Sequence, residues 1–291
     1  MIELGYERPA LDQILRNATN MLARSGIENP RFEAELMLAE AAGATRVQLL
    51  ARIPRVDAMI GSRFMRMVAR RAAREPFAYI VGRKAFHSLE LEVGPAVLIP
   101  RCETESLVDI ALAFLIRRDH PVVLDLGTGS GAIALAIADN DARARLVATD
   151  ISVAALALAR RNSVRLGLAR RVELVEADCW SARSGLPLGN FDLIVSNPPY
   201  VCDSAIAALQ PEIARYEPRV ALRGGTDGLD FYRRIAAGLR DHLLPDGAAM
   251  VEVGDDQAEA VAAILSAHGF DVTTHRDLAG IARVVQARKR T

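Results

Sequence analysis

This sequence has few cysteines, no net charge and no long apolar run. The three cysteines, Cys102, Cys179 and Cys202, are odd in number and scattered, which argues against a disulfide framework and favours a reducing compartment. Basic and acidic side chains balance at 36 each, so a dominant non-specific attraction to nucleic acid or to an anionic membrane is not expected. The most apolar stretch, residues 106–116, is short and contains Asp109, so no membrane span is predicted.

The remaining composition is that of an ordinary soluble protein with enough apolar residues to bury a core. Of the 291 residues, 51% are hydrophobic and 25% are charged. This length allows one large domain, or a moderate domain with a smaller companion. Residues 1–10 are polar and show no apolar signal region. We therefore expect a cytoplasmic protein without membrane attachment or stable nucleic-acid binding, and we expect a monomer.

Three segments of different character follow one another along the chain. Residues 1–84 carry apolar side chains at helical spacing, interrupted by glycine and proline, and predict a small helical domain that recognises the substrate. Residues 85–100 alternate between apolar and polar side chains, turn at Gly94-Pro95 and run on, which predicts a β-hairpin linker. Residues 101–291 alternate strands with helices and predict the catalytic domain.

The alternation in the third segment predicts an α/β fold with a seven-stranded, mostly parallel sheet and helices on both faces. The candidate strands are residues 122–126, 145–149, 172–176, 191–196, 248–253, 271–274 and 281–286.

A glycine-rich loop follows the first of these strands. The apolar residues 122–126 lead into Gly127-Thr128-Gly129-Ser130-Gly131 and then into a helical stretch. Glycines permit a tight turn and the close approach of a ligand, and the helix N-terminus behind them has free N–H groups. This pattern predicts a site for an adenosine-type cofactor. Because Gly127, Gly129 and Ala132 also match a dinucleotide fingerprint, the loop alone does not distinguish S-adenosylmethionine from a dinucleotide.

Acidic residues close the next two strands. Asp150 ends the second strand, where a carboxylate can accept hydrogen bonds from both ribose hydroxyls, although it could instead cap the next helix. Asp178 ends the third strand, where a carboxylate can accept from an adenine amino group while Cys179 and Trp180 cover the ring. The alternative is a surface aspartate beside a core tryptophan. The sequence therefore predicts all four residues as cofactor-binding.

The fourth strand runs directly into an acceptor loop, Asn197-Pro198-Pro199-Tyr200. Ligands of open α/β sheets bind beyond the carboxyl ends of the strands, so this loop should meet the glycine loop there. An amide nitrogen is a poor nucleophile and needs two hydrogen-bond acceptors, which the Asn197 side chain and the Pro198 carbonyl can supply. Proline fixes the backbone, and Tyr200 offers a flat face to a planar group.

The acceptor loop thus predicts methyl transfer to a planar nitrogen, unless it is an ordinary proline turn. We predict Asn197, Pro198 and Tyr200 as catalytic, all four loop residues as substrate-binding, and Asn197 as a contact of the cofactor too.

Together, the glycine loop, Asp150, Asp178 and the acceptor loop resemble class I methyltransferases that act on planar nitrogens. Further segments narrow the resemblance to the release factor glutamine methyltransferases, often called HemK or PrmC. Cys102 stands where that family usually has proline. These segments are Leu-Ile-Pro-Arg-Cys-Glu-Thr-Glu at 98–105, Glu-Pro-Arg-Val-Ala-Leu at 217–222, Gly225, Gly228, Leu229 and Tyr232, Glu252-Val253-Gly254 with Gln257, and Arg276-Asp277-Leu278-Ala279-Gly280 with Arg283.

The resemblance implies a Rossmann-like, seven-stranded domain preceded by a helical bundle and a hairpin. It also implies methylation of the N5 amide nitrogen of glutamine in the Gly-Gly-Gln motif of class 1 peptide chain release factors. S-adenosylmethionine would be the cofactor and S-adenosylhomocysteine the product. No metal is implied, and the five histidines show no metal-ligand spacing.

Three other functions remain open at this point. DNA adenine-N6 and ribosomal-protein glutamine-N5 methyltransferases could use the same acceptor loop, and an NAD-type oxidoreductase or nucleotide-binding module could use the same glycine loop.

Arg101 and Glu105 are expected either to orient the cofactor or acceptor loop, or to form a structural ion pair. A basic predicted helix could be a solvated face or a docking face for the release factor. Its arginines are Arg63, Arg66, Arg70, Arg71 and Arg74.

Overall fold

A computed structural model of the chain contains two compact units. It describes residues 8–51, 57–183, 189–277 and 279–290, without the side chains of residues 8–10. The first unit spans Met1–Gly82 together with Pro211–Tyr216, and the second spans Arg83–Gln210 and Glu217–Thr291. The sequence had placed this boundary two residues later and had assigned no distant segment to the helical domain. Leu278, which belongs to one of the resembling segments, lies outside the described residues.

The first unit is helical around its own apolar core. Leu22, Met37 and Phe64 are fully buried at its centre, and Asp57 caps a helix by accepting from Ile60 N at 2.8 Å. The described helices are α1 (Arg8–Arg24), α2 (Pro30–Ala42), α3 (Arg46–Ala51), α4 (Ala58–Ala72), α5 (Phe77–Val81) and, from much later in the chain, α9 (Pro211–Tyr216).

The basic side chains around α4 are largely paired within this unit. Arg71 is buried and donates to Glu33 Oε2 at 2.6 Å and to Glu212 Oε1 at 2.8 Å, and Arg74 donates to Glu212 Oε2 at 2.7 Å. Arg63 bonds Glu40, Arg66 bonds Ser62 and Arg70 bonds Glu75. Arg63, Arg71 and Arg74 therefore connect different helices, including α9, a contact that the sequence did not predict.

The second unit begins with a hairpin whose turn lies elsewhere than predicted. Strands β1 (Arg83–Phe86) and β2 (Leu89–Glu92) pair in antiparallel fashion, so the chain reverses at His87-Ser88 and not at Gly94-Pro95. His87 takes the left-handed φ of 51° that such a turn needs. Residue types at 87–88 do not indicate this turn, because glycine or asparagine usually marks that conformation.

An eight-stranded sheet forms the centre of the second unit, in the order β6-β5-β4-β3-β7-β8-β10-β9. The four central pairings, β5 with β4, β4 with β3, β3 with β7 and β7 with β8, are parallel. The pairings toward the two edges of the sheet are antiparallel. The strands are β3 (Val122–Leu126), β4 (Arg145–Asp150), β5 (Val172–Asp178), β6 (Ser181–Ala182), β7 (Phe191–Ser196), β8 (Leu243–Glu252), β9 (Phe270–Arg276) and β10 (Ala282–Lys289).

The predicted α/β fold is confirmed, with two corrections to the sheet. The eighth strand, β6, has two residues, too few to show an alternating pattern. Strand β8 begins at Leu243 and not at residue 248, because Leu243 pairs with Phe191 across an irregularity that carries the strand past Pro245. Both differences leave the parallel centre of the sheet as expected.

Helices cover both faces of the sheet and enclose two apolar clusters. Helices α6 (Glu105–Leu115) and α7 (Ala132–Asn140) pack on one face, and α10 (Asp230–His242) and α11 (Ala258–Ala267) on the other. Helix α8 (Val153–Arg165) contacts β4 and β5. In the part of the chain that the structure describes, no helix is long and apolar enough to cross a membrane.

One buried amide ties the hairpin to the glycine loop. Asn162 of α8 is fully buried; its Oδ1 accepts from Glu92 N at 2.7 Å, and its Nδ2 donates to the carbonyls of Glu92 and Ser130, each at 3.0 Å. The Asn162 side chain therefore satisfies three buried backbone groups at once, and its removal leaves them without their partners.

Asn162→Ala is therefore expected to lower the free energy of unfolding by about 2–4 kcal/mol, since buried groups left without partners cost about 1–3 kcal/mol each. The measurement is urea-induced unfolding of the full chain. Asn140→Ala is the matched control: Asn140 is exposed and should cost less than about 1 kcal/mol. Equal losses in the two variants would contradict the assigned role.

Candidate active site

A cleft of about 970 Å³, open to solvent, lies at the carboxyl ends of the parallel strands. The structure brings most of the predicted residues to it, whereas Gly131, Pro198, Tyr200 and Trp180 do not line it. The predicted residues along its wall are Gly127, Thr128, Gly129, Ser130, Asp150, Asp178, Cys179, Asn197 and Pro199.

The three glycines of the loop serve two different purposes. All three have positive φ, which other residues rarely adopt. At Gly127 and Gly129 the space that a Cβ would fill is open, so the backbone there is accessible to a ligand. At Gly131 a Cβ would lie 2.8 Å from Leu135 Cδ1, so this glycine permits packing against α7 and does not face the cleft.

Asp125, which the sequence pattern did not single out, supports this loop through side-chain hydrogen bonds. It is fully buried in β3; its Oδ2 accepts from Thr128 Oγ1 at 2.6 Å and from Ala134 N at 3.2 Å. Burial raises the pKa of the Asp125 carboxyl to about 7, against the two hydrogen bonds. The available signal was an acidic residue inside an otherwise apolar strand, which is costly unless it has a purpose.

Asp150 connects the glycine loop with the start of α8. Its Oδ2 accepts from Gly129 N and its Oδ1 from Ser152 N, both at 2.9 Å. Ser152 itself caps the helix by accepting from Ala155 N, so Asp150 is not the cap that the sequence allowed. Burial raises the pKa of Asp150, and the backbone hydrogen bonds oppose this. Both carboxylate oxygens are thus preset beside the loop.

Asp178 and Trp180, which the sequence placed together, are separated by the structure. Asp178 lines the cleft and forms an ion pair with Arg234 Nη2 at 2.5 Å. Trp180 instead packs on α10: its ring stacks on His242 at 4.7 Å, its Nε1 donates to the Arg234 carbonyl, and it occupies the space above Gly238. The structural alternative for Trp180 is therefore favoured, because Gly238 leaves room for the indole.

The acceptor loop divides in a similar way. Asn197 and Pro199 line the cleft, and Asn197 Nδ2 donates to Thr104 Oγ1 at 3.1 Å. Tyr200 turns away: its ring carbons lie about 3 Å from where a Cβ of Gly254 would be, and burial raises the pKa of its hydroxyl to about 12. The ring therefore anchors the loop in the core, and the flat face predicted for the acceptor is not presented to the cleft.

The first and second resembling segments meet through an ion pair. Arg101 lines the cleft and donates to Glu217 Oε1 at 2.6 Å, while Glu217 Oε2 accepts from Ile99 N at 3.4 Å. Burial raises the pKa of Glu217, and Arg101 opposes this. Glu105 does something else, since it accepts from His87 N in the hairpin turn. Of the predicted pair, only Arg101 is at the cleft, and it braces the wall.

Arg101→Ala should leave Glu217 buried without its partner. Because the pKa of Glu217 is already raised in the folded state, the variant's loss of stability should be small at pH 5, where the carboxyl can be protonated, and grow as pH rises. We expect about 1–3 kcal/mol at pH 8, below the usual loss for a broken buried pair because Arg101 is partly exposed.

Urea-induced unfolding at the two pH values measures this difference. Arg161→Ala is the control, since Arg161 and Glu92 form an exposed pair that should contribute less than about 1 kcal/mol at either pH. A loss for Arg101→Ala that is the same at both pH values would contradict the role of Glu217.

Comparison with known proteins agrees with this geometry. Residues 13–82 match the PrmC N-terminal domain, and residues 104–216 match the methyltransferase small domain. A release factor glutamine methyltransferase of Geobacter sulfurreducens is 46% identical, covering 92% of each chain. The corresponding protein of Moorella thermoacetica is 45% identical, covering 89% of this chain and 90% of its own.

The fold also has counterparts among solved structures. A methyltransferase from Pyrococcus furiosus superimposes with a TM-score of 0.52 at 21% identity, covering 79% of this chain and 99% of its own; at this identity the likeness concerns the fold alone. With close relatives of the same name along nearly its whole length, this chain belongs to the release factor glutamine methyltransferase family.

Proposed function

We propose that this protein methylates the N5 amide nitrogen of glutamine in the Gly-Gly-Gln motif of class 1 peptide chain release factors. The observation that carries the proposal is one cleft lined by the glycine loop, Asp150 and Asn197, so that groups suited to a methyl donor and to an amide acceptor face the same space. The relatives' name, release factor glutamine methyltransferase, supports the substrate.

The residues of the cleft fit S-adenosylmethionine. Open space beside Gly127 and Gly129 admits a ligand against bare backbone. The preset oxygens of Asp150 suit ribose hydroxyls. Asp178 suits an adenine amino group, and the buried Cys179 suits the ring beside it. When bound, this cofactor supplies a sulfonium methyl group, and S-adenosylhomocysteine is the product.

The acceptor loop would act by orientation. Oδ1 of Asn197, a residue that lines the cleft, would accept an N–H hydrogen of the glutamine amide and so aim its lone pair toward the methyl donor. The Pro198 carbonyl, predicted from the sequence as the second acceptor, does not line the cleft. Fixed orientation of this kind can contribute roughly 7–11 kcal/mol to catalysis. No strong base is needed first, because the nitrogen loses its proton more easily once it is methylated. Tyr200, packed against Gly254, would hold the loop and not touch the acceptor.

The cofactor assignment predicts that Asp150→Ala raises the Kd of S-adenosylmethionine by about 10–100-fold, the effect of losing hydrogen bonds to a charged group. Isothermal titration calorimetry measures it in the full chain. Asp271→Ala, an exposed aspartate of β9, is the control and should bind like wild type. An unchanged Kd for Asp150→Ala would refute the ribose contact.

The function is tested by incubating the protein with labelled S-adenosylmethionine and a class 1 release factor, unmethylated DNA or ribosomal proteins. We expect label on the release factor, and mass spectrometry of its Gly-Gly-Gln peptide should locate one methyl group on glutamine. Asn197→Ala should lower kcat by on the order of 10²–10³, as the loss of one positioned polar group does. Its cofactor Kd should stay within about threefold of wild type, because few cofactor contacts change.

Label only in DNA or in ribosomal protein would overturn the proposed substrate. Wild-type turnover by Asn197→Ala would overturn the role of the acceptor loop.

A further inference from the structure

The Asn197 side chain has two chemically different ends, and the proposed reaction needs one of them. Its amide oxygen accepts hydrogen bonds, whereas its NH2 group only donates. A glutamine amide nitrogen offers hydrogens, so Asn197 must turn its oxygen toward the cleft. A half-turn of the amide would present the wrong end with almost no change in shape. Something in the fold has to select the orientation.

Strand register puts a carboxylate at the required place. Ser196 of β7 pairs with Val251 of β8 in parallel, so the next residues, Asn197 and Glu252, lie side by side at the ends of their strands. The Glu252 residue is only 3% exposed. Thr104, 4% exposed, comes from the turn before α6. Asn197 Nδ2 donates to Thr104 Oγ1 at 3.1 Å. The polar side chains of Thr104 and Asn197 both oppose the rise in the pKa of Glu252 that burial causes.

Glu252 is the selective partner, because an ionised carboxylate can accept hydrogen bonds but cannot donate them. A hydroxyl such as that of Thr104 can do both, so Thr104 alone would tolerate either orientation of the amide. Glu252 tolerates only the one in which the Asn197 nitrogen faces it. Among the described residues no donor reaches Asn197 Oδ1, and the buried Glu252 Oε2 has no hydrogen-bond partner. The carboxylate therefore has accepting capacity to spare.

We propose that Glu252 is a positioning residue, which fixes the Asn197 amide with its nitrogen toward β8 and its oxygen toward the acceptor glutamine. The inference deepens the proposed function and rests on it for the identity of the acceptor. Glu252 itself touches neither the methyl donor nor the acceptor.

The surroundings keep Glu252 close to its titration point. Burial raises the pKa of Glu252 to about 7, opposed by the hydrogen bonds from Thr104 and Asn197 and by the charge of Arg283. The charge of Glu103, in the turn before α6, raises the pKa of Glu252 further. Glu252 in turn raises the pKa of the Tyr200 and Tyr232 hydroxyls, two further titratable groups that interact with it. When Glu252 is protonated it gains a donor hydrogen and no longer discriminates between the two ends of the amide. Activity should therefore fall as pH drops through about 7.

Glu252→Gln tests the selection with little change in shape. Glutamine can either accept from Asn197 or donate to it, so we expect kcat to fall on the order of 10-fold, like other losses of groups that orient a site residue. The Kd of S-adenosylmethionine should stay within about twofold. The rise of wild-type kcat through pH 7 should disappear in the variant. Glu252→Asp keeps the charge and should retain the pH step, and Glu173→Gln, at an exposed position of β5, should behave like wild type.

A double variant separates positioning from general damage. If Glu252 acts through Asn197, then Glu252→Gln should change kcat by less than about twofold in an Asn197→Ala background, because the two effects are not additive. The same fold loss in both backgrounds, or no loss in wild type, would overturn the proposal.

A substrate-free measurement decides the point independently of the reaction. The side-chain NH2 signals of Asn197 in a nitrogen–proton NMR spectrum should shift with pH near 7 in wild type and should not do so in Glu252→Gln; shifts in both proteins would overturn the proposal. If wild type fails to methylate release factors, the proposed function falls while this titration still tests Glu252. Should Glu252→Gln fail to fold, the wild-type titration and Glu252→Asp carry the same decision.

Discussion

The register of the parallel strands is the constraint on which the site depends. Leu126 of β3 is level with Thr149 of β4 and Ser196 of β7, and Ser196 is level with Val251 of β8. The residues that come next along these strands are Gly127, Asp150, Asn197 and Glu252. These four chemically distinct residues thus lie in one row at the carboxyl ends of four neighbouring strands. A shift of one strand by a single residue would turn its side chain to the opposite face and dissolve the row.

The unit keeps several carboxyl groups buried at this end of the sheet, each with an assigned neighbour. Asp125 supports the glycine loop, Glu217 holds Arg101, and Glu252 lies against Asn197. Burial raises the pKa of all three, so the fold gives up stability near neutral pH to keep them there. Such groups concentrate at functional sites, because they orient polar partners more selectively than apolar packing can.

Local sequence patterns predicted the features whose causes are local. An apolar strand followed by glycines, or by Asn-Pro-Pro, is legible because strand, turn and loop are each specified by neighbouring residues. Where the structure places a residue differently from the prediction, the cause is a residue far away in the sequence. Trp180 packs above Gly238, and Tyr200 packs against Gly254; nothing near either aromatic residue announces its partner. The hairpin turn at His87 was not predicted for a different reason: its backbone conformation is uncommon for that residue type.

By itself, then, the sequence determined the α/β architecture and the family, and it predicted that the glycine loop, Asp150 and Asn197 meet at one cleft. Each of these features depends on residue types at short spacing. Tertiary structure alone decided that Arg101 braces the wall through Glu217, that α9 belongs with the helical unit, and that Glu252 stands beside Asn197. These pairs are separated by dozens of residues or more. Their contact follows from strand register and helix packing, which a single sequence does not display.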